Sequence, residues 1–379
     1  MRTTLICTVG TSLFQTNLNQ LNETTPGKPE NWFAIKQAYD NGNWDQLARE
    51  LLTVDPTSRI CGAEINTVHE LLTTKKFPIE QIHFLVSDTE DGRNTGNVLQ
   101  KYFTRYNRKT LKAVAYEAIE QLQDERPGYF KIFGLRNLVR AIGKITQRVG
   151  MEQVIIDATG GYKAQIAIAV VIGQVLNIPV VYKHERFSEI IEFPPLPIDF
   201  DYGQIGTYSG LLNYLDNKNI LLTNEELQLD RNDEKIRVFL DEEVEPITGQ
   251  TMYALSPIGE IYLLAYQLRH PTAPQLREAP AEDRREPSFR DDHYPKGFKE
   301  FVHKVWQENK WIKTIRSRDY DKQKSIKGIG FNVWTIDEKP ILIGTYRKEF
   351  GARFEVILTD SSKESLLWAA DHLSRKYKD

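Results

Sequence analysis

Four short apolar runs constrain the first 200 residues more than any other feature: Leu5 to Val9, Ile82 to Val86, Val154 to Ile156 and Ile178 to Tyr182. None of them alternates polar with apolar side chains. That is the pattern of central strands in a parallel sheet covered by helices on both faces. Between them lie helical spacings. Leu135, Leu138, Val139, Ile142 and Ile145 recur with a period near 3.6, and Gly150 ends that run. Strands alternating with helices of this length imply βαβ units, so the expected class is α/β with a doubly wound, mostly parallel sheet. The apolar stretch from Ala164 to Val181 is interrupted by Gln165, Gln174, Asn177 and Pro179. It reads as a deeply packed helix running into a buried strand, not as a membrane span.

From about Asp201 the pattern changes. Short helical and extended signals mix with dense charge, and Ser256-Pro257 opens a helix whose apolar face is Ile258, Ile261, Tyr262, Ala265 and Leu268. Residues 201–270 are expected to form a winged-helix-like middle module. Five of the 17 prolines fall within 271–295, a density that defeats helix and sheet alike, so this stretch is expected to be a linker. Residues 296–379 then offer a helix from Gly297 to about Trp311, β-rich stretches at Gly330–Ile336, Ile341–Tyr346 and Ala352–Thr359, and a closing helix from Lys363 to Tyr377. Asp337 to Pro340 and Lys348 to Gly351 supply the turns. The expectation is a small α+β unit built on an antiparallel meander.

A chain of 379 residues exceeds one ordinary core, which agrees with several domains. Two cysteines, Cys7 and Cys61, exclude a disulfide framework and a Cys-rich zinc site, and the apolar start is too short for a signal peptide. The chain therefore reads as soluble and cytoplasmic. Its net charge of −3 conceals an asymmetry: residues 281–379 hold 21 basic and 17 acidic side chains, a net of +4 that leaves −7 for the rest. Within Lys296 to Lys327, ten basic residues face four acidic ones, with Trp306, Trp311 and Tyr320 among them. Cations interleaved with aromatics suit a phosphate backbone and stacked bases.

Two loops carry chemistry in the first 200 residues. Thr8-Val9-Gly10-Thr11-Ser12-Leu13 follows the first strand, and Asp157-Ala158-Thr159-Gly160-Gly161-Tyr162-Lys163 follows the third and opens a helix. In an open α/β sheet such positions bind ligands, and glycines beside hydroxyls at a helix N-terminus suit an anion. Neither loop has the G-x-G-x-x-G spacing of dinucleotide binders, and no G-x-x-x-x-G-K-[ST] occurs. A third polar, glycine-rich stretch, Ser87 to Gly96, follows the second strand and adds Ser87 and Asp88 to the candidates.

Thr8–Leu13 together with Thr159-Gly160-Gly161-Tyr162-Lys163 resembles the two signature loops of CARF domains, the Rossmann-like ligand sensors of CRISPR-associated ancillary proteins of type III systems. The resemblance covers residues 1–200. It implies a homodimer that binds a cyclic oligoadenylate, taken here as cyclic tetra-adenylate, through Gly10, Thr11, Ser12, Thr159, Gly160, Gly161 and Lys163. It also implies a ring-nuclease option, with Ser12 and Lys163 aligning the 2′-hydroxyl and stabilising charge.

The effector is then the open question. The Arg-x₄₋₆-His mark of a HEPN ribonuclease is absent. A metal-dependent PD-(D/E)xK nuclease would rest on Asp337-Glu338-Lys339 with Asp319 or Asp321. Residues 296–379 instead resemble the RelE-like mRNA interferases in architecture, charge and loose similarity around Gly344–Thr359. That resemblance implies metal-free RNA cleavage by 2′-hydroxyl attack, with no cofactor, on RNA that the ribosome presents as mRNA. The catalytic candidates are Lys324, Lys327, Arg347, Arg353 and Tyr346. The competing class is a non-enzymatic regulator whose winged helix binds DNA.

Overall fold

The computed structural model describes residues 1–106, 109–184, 189–198, 200–217, 220–227, 234–245, 248–273, 275–290, 293–321, 330–348 and 350–377. The chain divides into two compact units, Met1–Asp199 and Phe200–Asp379.

The first unit is a six-stranded sheet. Its strands are β1 (Thr4–Thr8), β2 (Gln81–Ser87), β3 (Ala113–Ile119), β4 (Val154–Asp157), β5 (Val180–Tyr182) and β6 (Ile191–Phe193), in the order β3-β2-β1-β4-β5-β6. All neighbours run parallel except β5 and β6. The four apolar runs fall on β1, β2, β4 and β5. β1 and β4 are buried from end to end, as strands covered on both faces must be. β3 went unread because Ala113-Val-Ala-Tyr-Glu-Ala-Ile is an edge strand, half exposed and too weakly apolar to stand out. The helices are α1 (Trp32–Asp40), α2 (Trp44–Leu51), α3 (Gly62–Thr74), α4 (Glu90–Tyr106), the single turn α5 (Pro127–Tyr129), α6 (Leu135–Val149) and α7 (Lys163–Val175). Leu5, Cys7, Ile82, Phe84 and Ile155 join side chains of α1 to α4 in one core. Gly150 caps α6 at φ 95°, a value its lack of Cβ permits.

Two expectations change here. The stretch from Ser87 to Gly96 is mostly helix, because α4 begins at Glu90. Gly92 and Gly96 lie on it, where a Cβ would come within 2.3 Å of Ser87 Oγ and 2.6 Å of the Tyr116 ring. These glycines serve helix-on-strand packing. α7 is not buried all round either. It buries Gln165, Ile168, Ala169, Ile172 and Val175, while Ile166, Ala167, Val170 and Val171 stay partly open.

The second unit begins with α8 (Gly203–Asp216) and continues through β7 (Leu222–Thr223), the short turns α9 (Asn224–Leu227) and α10 (Glu234–Arg237), β8 (Leu240–Val244), β9 (Thr251–Leu255) and α11 (Pro257–Arg269). β7, β9 and β8 form a three-stranded antiparallel sheet. Ser256 Oγ accepts the Gly259 N–H at 3.0 Å, the cap its sequence position announced. After α12 (Phe298–Glu308) come β10 (Ile312–Asp321), β11 (Gly330–Ile336), β12 (Lys339–Arg347) and β13 (Gly351–Leu358), an antiparallel sheet in the order β10-β13-β12-β11, and then α13 (Lys363–Lys376). Asp337 and Glu338 adopt φ of 47° and 62°, the left-handed pair of a tight hairpin. β10 is a fourth strand that its charge hid from a hydrophobicity-based reading.

The proline-rich segment expected as a linker belongs to this second unit. Its described residues form no helix or strand of the fold, yet they run beside β10 and the turn before it: Ala279 N–H donates to Lys310 O, Arg285 N–H to Lys313 O and Ser288 N–H to Ile315 O, each at 2.9 Å. Arg284 lies over the Trp306 ring at 3.9 Å. Proline tolerates this place because an outer ribbon needs only some of its backbone donors.

One buried carboxylate ties the expected middle module to the C-terminal domain. Asp371 of α13 accepts from Asn213 Nδ2 of α8 at 3.0 Å and from Gln267 Nε2 of α11 at 3.3 Å, and pairs with Arg375 at 3.3 Å. Alanine at 371 removes an acceptor from the buried Asn213 amide and from the half-buried Gln267 amide and should cost about 2–4 kcal/mol, whereas Arg375→Ala, removing an exposed partner, should cost under about 1 kcal/mol. Urea unfolding followed by hydrogen exchange of α8 and α13 amides checks this. Equal costs for the two variants would remove Asp371 from that place.

Candidate functional site

In the first unit the strand order reverses between β1 and β4, and the chain leaves these neighbours toward opposite sides. Such a switch opens a crevice at the C-terminal ends of the strands. A cavity of about 430 Å³ lies there, lined by Val9 to Ser12, Gln15, Thr16, Ala63, Glu64, Ser87, Thr159 to Tyr162 and Tyr182 to His184.

The two glycine loops are held to each other as much as they face the cavity. Thr8 Oγ1 donates to Gly160 O at 2.6 Å, and the Gly10 N–H donates to Glu64 Oε1 at 2.9 Å. A Cβ on Gly160 would lie 2.3 Å from Glu64 Oε1 and 2.9 Å from Gly10 N, and one on Gly10 would lie 3.0 Å from Gly161 N. Gly161 has φ 102°. Gly10 and Gly160 thus serve loop-against-loop contact, and Gly161 its own positive φ beside Gln165, where the sequence suggested contact with a ligand.

Asp157, at the end of β4, is 1% exposed, and its Oδ1 accepts the Thr159 N–H at 3.0 Å. Burial pushes its carboxyl up to about 7, against the opposing effect of its Thr159 bonds, and the nearby Glu64 charge adds to the rise. Thr159 is a hub: its Oγ1 accepts from Lys183 N at 3.0 Å and from Thr67 Oγ1 at 3.3 Å. It therefore positions the wall of the cavity. Lys183 lines the cavity, with its ammonium paired to Glu70 of α3. Glu70 also accepts the Ile190 N–H at 3.2 Å.

The candidates from the sequence divide accordingly. Gly10, Thr11, Ser12, Ser87, Thr159, Gly160 and Gly161 all line the cavity. Ser12 sits at the start of a π-helical turn, Leu13–Leu18, and Thr11 Oγ1 donates to Gln15 Oε1 at 3.0 Å. Lys163 is exposed at the first position of α7 and is not part of the lining. Asp88 also stays out. It pairs with Arg93 and accepts the Gln121 N–H at 3.0 Å, bracing the loop after β3. Lys183, His184, Glu64 and Tyr182 were missed. Lys183 and His184 directly follow an apolar strand run, a signal that could have marked them; Glu64 sits on a helix that no motif singled out.

The second unit has its own cavity of about 310 Å³, lined chiefly by Tyr214, Glu226, Phe301, Phe331, Tyr346, Arg347, Lys348 and Tyr377. Of the five catalytic candidates, it brings together Tyr346 and Arg347. Lys324 and Lys327 lie outside the described residues. Arg353 is not part of the lining; it lies 4.5 Å from the Trp334 ring and pairs with Asp319 at 3.1 Å. Successive strand residues face opposite ways, so Tyr346 and Arg353 part company by register: Thr345, not Tyr346, pairs with Arg353. The Tyr346 hydroxyl donates to Lys296 O at 2.9 Å, and Tyr377 donates to Glu308 Oε2 at 2.8 Å. Both are held in place as donors.

Other expectations of this region change as well. Lys339 lies six residues along β12 from Thr345, which is level with Arg353, so the Asp337-Glu338-Lys339 turn sits roughly 20 Å from Asp319. That constellation does not assemble. Trp306, Trp311 and Tyr320 are engaged by Arg284, by Trp368 and by Tyr294 and Phe350, as packing groups. Burial and the neighbouring Arg375 and Lys376 lower His372 to about 4, so it stays neutral while stacked on Trp368. Among the described residues no three His, Cys, Asp or Glu side chains gather as a metal site requires, and no helix is long and apolar enough to cross a membrane.

Asp157 makes stability pH-dependent in a defined direction. The folded state holds its proton above the ordinary carboxylate range, so stability is greatest below about pH 4 for this group and falls as pH rises to about 7, by an amount of the order of 4 kcal/mol. Asp157→Asn should flatten that part of the profile and raise the melting temperature at pH 8 relative to the parent. An unchanged slope between pH 4 and 7 in thermal melts of the two proteins would refute it.

The sequence model of a CRISPR-associated protein family, Cas_APE2256, matches residues 59–196, which include α3, β2, β4, the second glycine loop and Lys183. No curated protein matches the chain. Among solved structures, Can2 from Sulfobacillus thermosulfidooxidans in complex with cyclic tetra-adenylate (cA4) matches at 10% identity and a TM-score of 0.26, covering 70% of this chain. The match spans 63% of the Can2 chain, and its score is too low for a shared overall fold to follow. The first unit is thus similar, over residues 59–196, to a CRISPR-associated family.

Proposed function

We propose that the protein is a ligand-gated ribonuclease of CRISPR defence, whose first unit is a CARF sensor for a cyclic oligoadenylate and whose second unit cuts RNA. The observation that carries the reading is the cavity at the β1/β4 switch, where both CARF-like loops and Lys183 meet. The match of residues 59–196 to a CRISPR-associated family supports it. A cyclic tetra-adenylate is larger than one such cavity, and its twofold symmetry suits two copies facing each other in a homodimer. The partly open apolar side of α7, with Ile166, Val170 and Val171, supports that assembly.

In this reading the residues that hold the ring differ from the loop glycines and Lys163. The Gly10 amide and the Thr159 hydroxyl are committed to Glu64, Lys183 and Thr67, so they shape the wall. Ser12, Lys183 and His184 face the ligand. A phosphate entering would compete with Glu70 for the Lys183 ammonium and so pull on the Glu70 link to Ile190. If the ring is cut in the sensor, Ser12 and Lys183 replace the pair Ser12 and Lys163 as the groups beside the 2′-hydroxyl.

In the second unit, a winged-helix-like module followed by a RelE-like domain remains the reading of 201–270 and 296–379. The cavity with Arg347 and Lys348 is the candidate cleavage site. An RNA 2′-oxygen attacks the adjacent phosphorus, the 5′-oxygen leaves, and a 2′,3′-cyclic phosphate and a 5′-hydroxyl result. Cations placed at the phosphate stabilise the charge that builds up on its oxygens. Ribosome-bound mRNA is the substrate this reading favours, and Tyr346 orients the wall through its bond to Lys296.

Two measurements test the proposal. Titration calorimetry with rings of four and six adenylates should show saturable binding of the smaller ring, weakened about tenfold or more in Lys183→Ala and little changed in Lys163→Ala. RNA cleavage assays with ring and translating ribosomes should show cutting that Arg347→Ala together with Lys348→Ala reduces by about a hundredfold. Cleavage of ribosome-free RNA that occurs with Mg²⁺ and is lost in EDTA would overturn the metal-free mechanism. Ring-dependent DNA binding without any RNA loss would replace the ribonuclease by a DNA-binding regulator.

A further inference from the structure

A second cavity of the first unit, distinct from the sensor crevice, lies against the middle of β2 and β3. It measures about 310 Å³ and is lined by His83 to Leu85 of β2, Ala115 to Glu117 of β3, and Lys144, Ile145 and Arg148 of α6. His83 is four residues before the end of β2, which sets it roughly 13 Å along the strand from Ser87 in the sensor cavity. β3 is the sheet edge, and α6 packs beside it; the cavity is the space between that edge and the helix.

Its electrostatics are unusual for a surface recess. Arg136, Arg140, Lys144 and Arg148 recur every fourth residue and so share one side of α6. The last two reach the cavity, both are exposed, and neither pairs with a carboxylate among the described residues. The contact that Arg148 does make is with another nitrogen, as its Nη2 lies 3.3 Å from His83 Nε2. A guanidinium can only donate, so the His83 Nε2 must accept and the ring is neutral, with its proton on Nδ1. Burial and the Arg148 charge both hold the imidazole below its ordinary range. A guanidinium that meets a neutral imidazole, one helical turn from an ammonium that pairs with no carboxylate among the described residues, leaves two cations lining the recess. Glu117, exposed at the rim, is the one carboxylate of the lining. Leu85, Ala115 and Ile145 supply an apolar floor.

We infer that this cavity is a binding site for a small phosphate monoester of nucleotide size. Its phosphate lies between Lys144 and Arg148, its apolar ring lies against Leu85, Ala115 and Ile145, and a hydroxyl or amino donor faces Glu117. A carboxylate opposing two cations rejects a bare polyanion but suits a ligand with acidic and donor ends. The volume falls at the lower end of small-molecule sites, which fits one nucleotide and not an oligomer. The site is separate from the sensor crevice and does not depend on the function proposed above.

The test uses the full chain carrying Lys183→Ala, so that the sensor cavity is weakened, with adenosine monophosphate, inorganic phosphate and adenosine as probes. Calorimetry should show saturable binding of the monophosphate, and the His83 ring resonances should move as it saturates. Lys144→Ala together with Arg148→Ala, both at exposed positions, should weaken that binding about tenfold or more and abolish the His83 shift. Adenosine should bind far more weakly, since it lacks the phosphate. Absence of monophosphate binding at millimolar concentration, or binding unchanged by the double substitution, overturns the site. Inorganic phosphate binding as tightly as the monophosphate overturns its assignment to a nucleotide.

Discussion

The arrangement of the first unit depends on how closely the chain crosses itself above β1 and β4. A parallel sheet whose order reverses between two neighbours leaves a crevice there, and both flanking loops must enter it. They come within hydrogen-bonding distance of each other, with Thr8 holding Gly160 and Glu64 holding Gly10. Little room for a side chain is left in that crossing, which accounts for Gly10 and Gly160, while Gly161 is set by its φ of 102° and the closeness of Gln165. The cavity is what remains once this contact is made.

Its polarity follows from the same contact. Glu64 and Asp157 are buried beneath the loops, and two carboxyls that close cannot both ionise freely in a low-dielectric interior. The Lys183 ammonium faces the opening but is balanced by Glu70. Under the proposed function, an anionic ligand would meet a wall whose charges are already paired, and binding would exchange one partner for another. That exchange would link ligand entry to α3 and to the chain around Ile190, which Glu70 joins to Lys183.

The second unit uses a buried acid differently. Asp371 collects amides from α8 and α11 and so joins elements that the sequence assigned to separate domains. Gly210 of α8 approaches Gly330 so closely that a Cβ on the latter would lie 2.8 Å from its backbone. The cavity with Arg347 and Lys348 forms where α8, β11, β12 and α13 converge, and it exists only because those pieces pack as one body.

Much of the first unit was legible because burial on both faces leaves an unmistakable apolar run, as in β1, β2, β4 and β5. The same logic missed β3 and β10, whose edge or charged character removes the hydrophobic signal. The loops after β1 and β4 could be named from glycines and hydroxyls beside predicted strands. What those residues do could not, since spacing cannot tell an amide offered to a ligand from one spent on Glu64. Lys163 was chosen for its charge and position, and the helix turns it outward, while Lys183, twenty residues on, is brought in by β5. In the second unit, strand alternation sent Arg353 to the opposite face from Tyr346, a matter of register that only the pairing of β12 with β13 decides. The sequence by itself determined the parallel core, the helix caps and the tight turns, because these are set by local periodicity and backbone preference. Which side chains share a cavity was decided by the tertiary structure, because it depends on contacts between segments far apart in the chain.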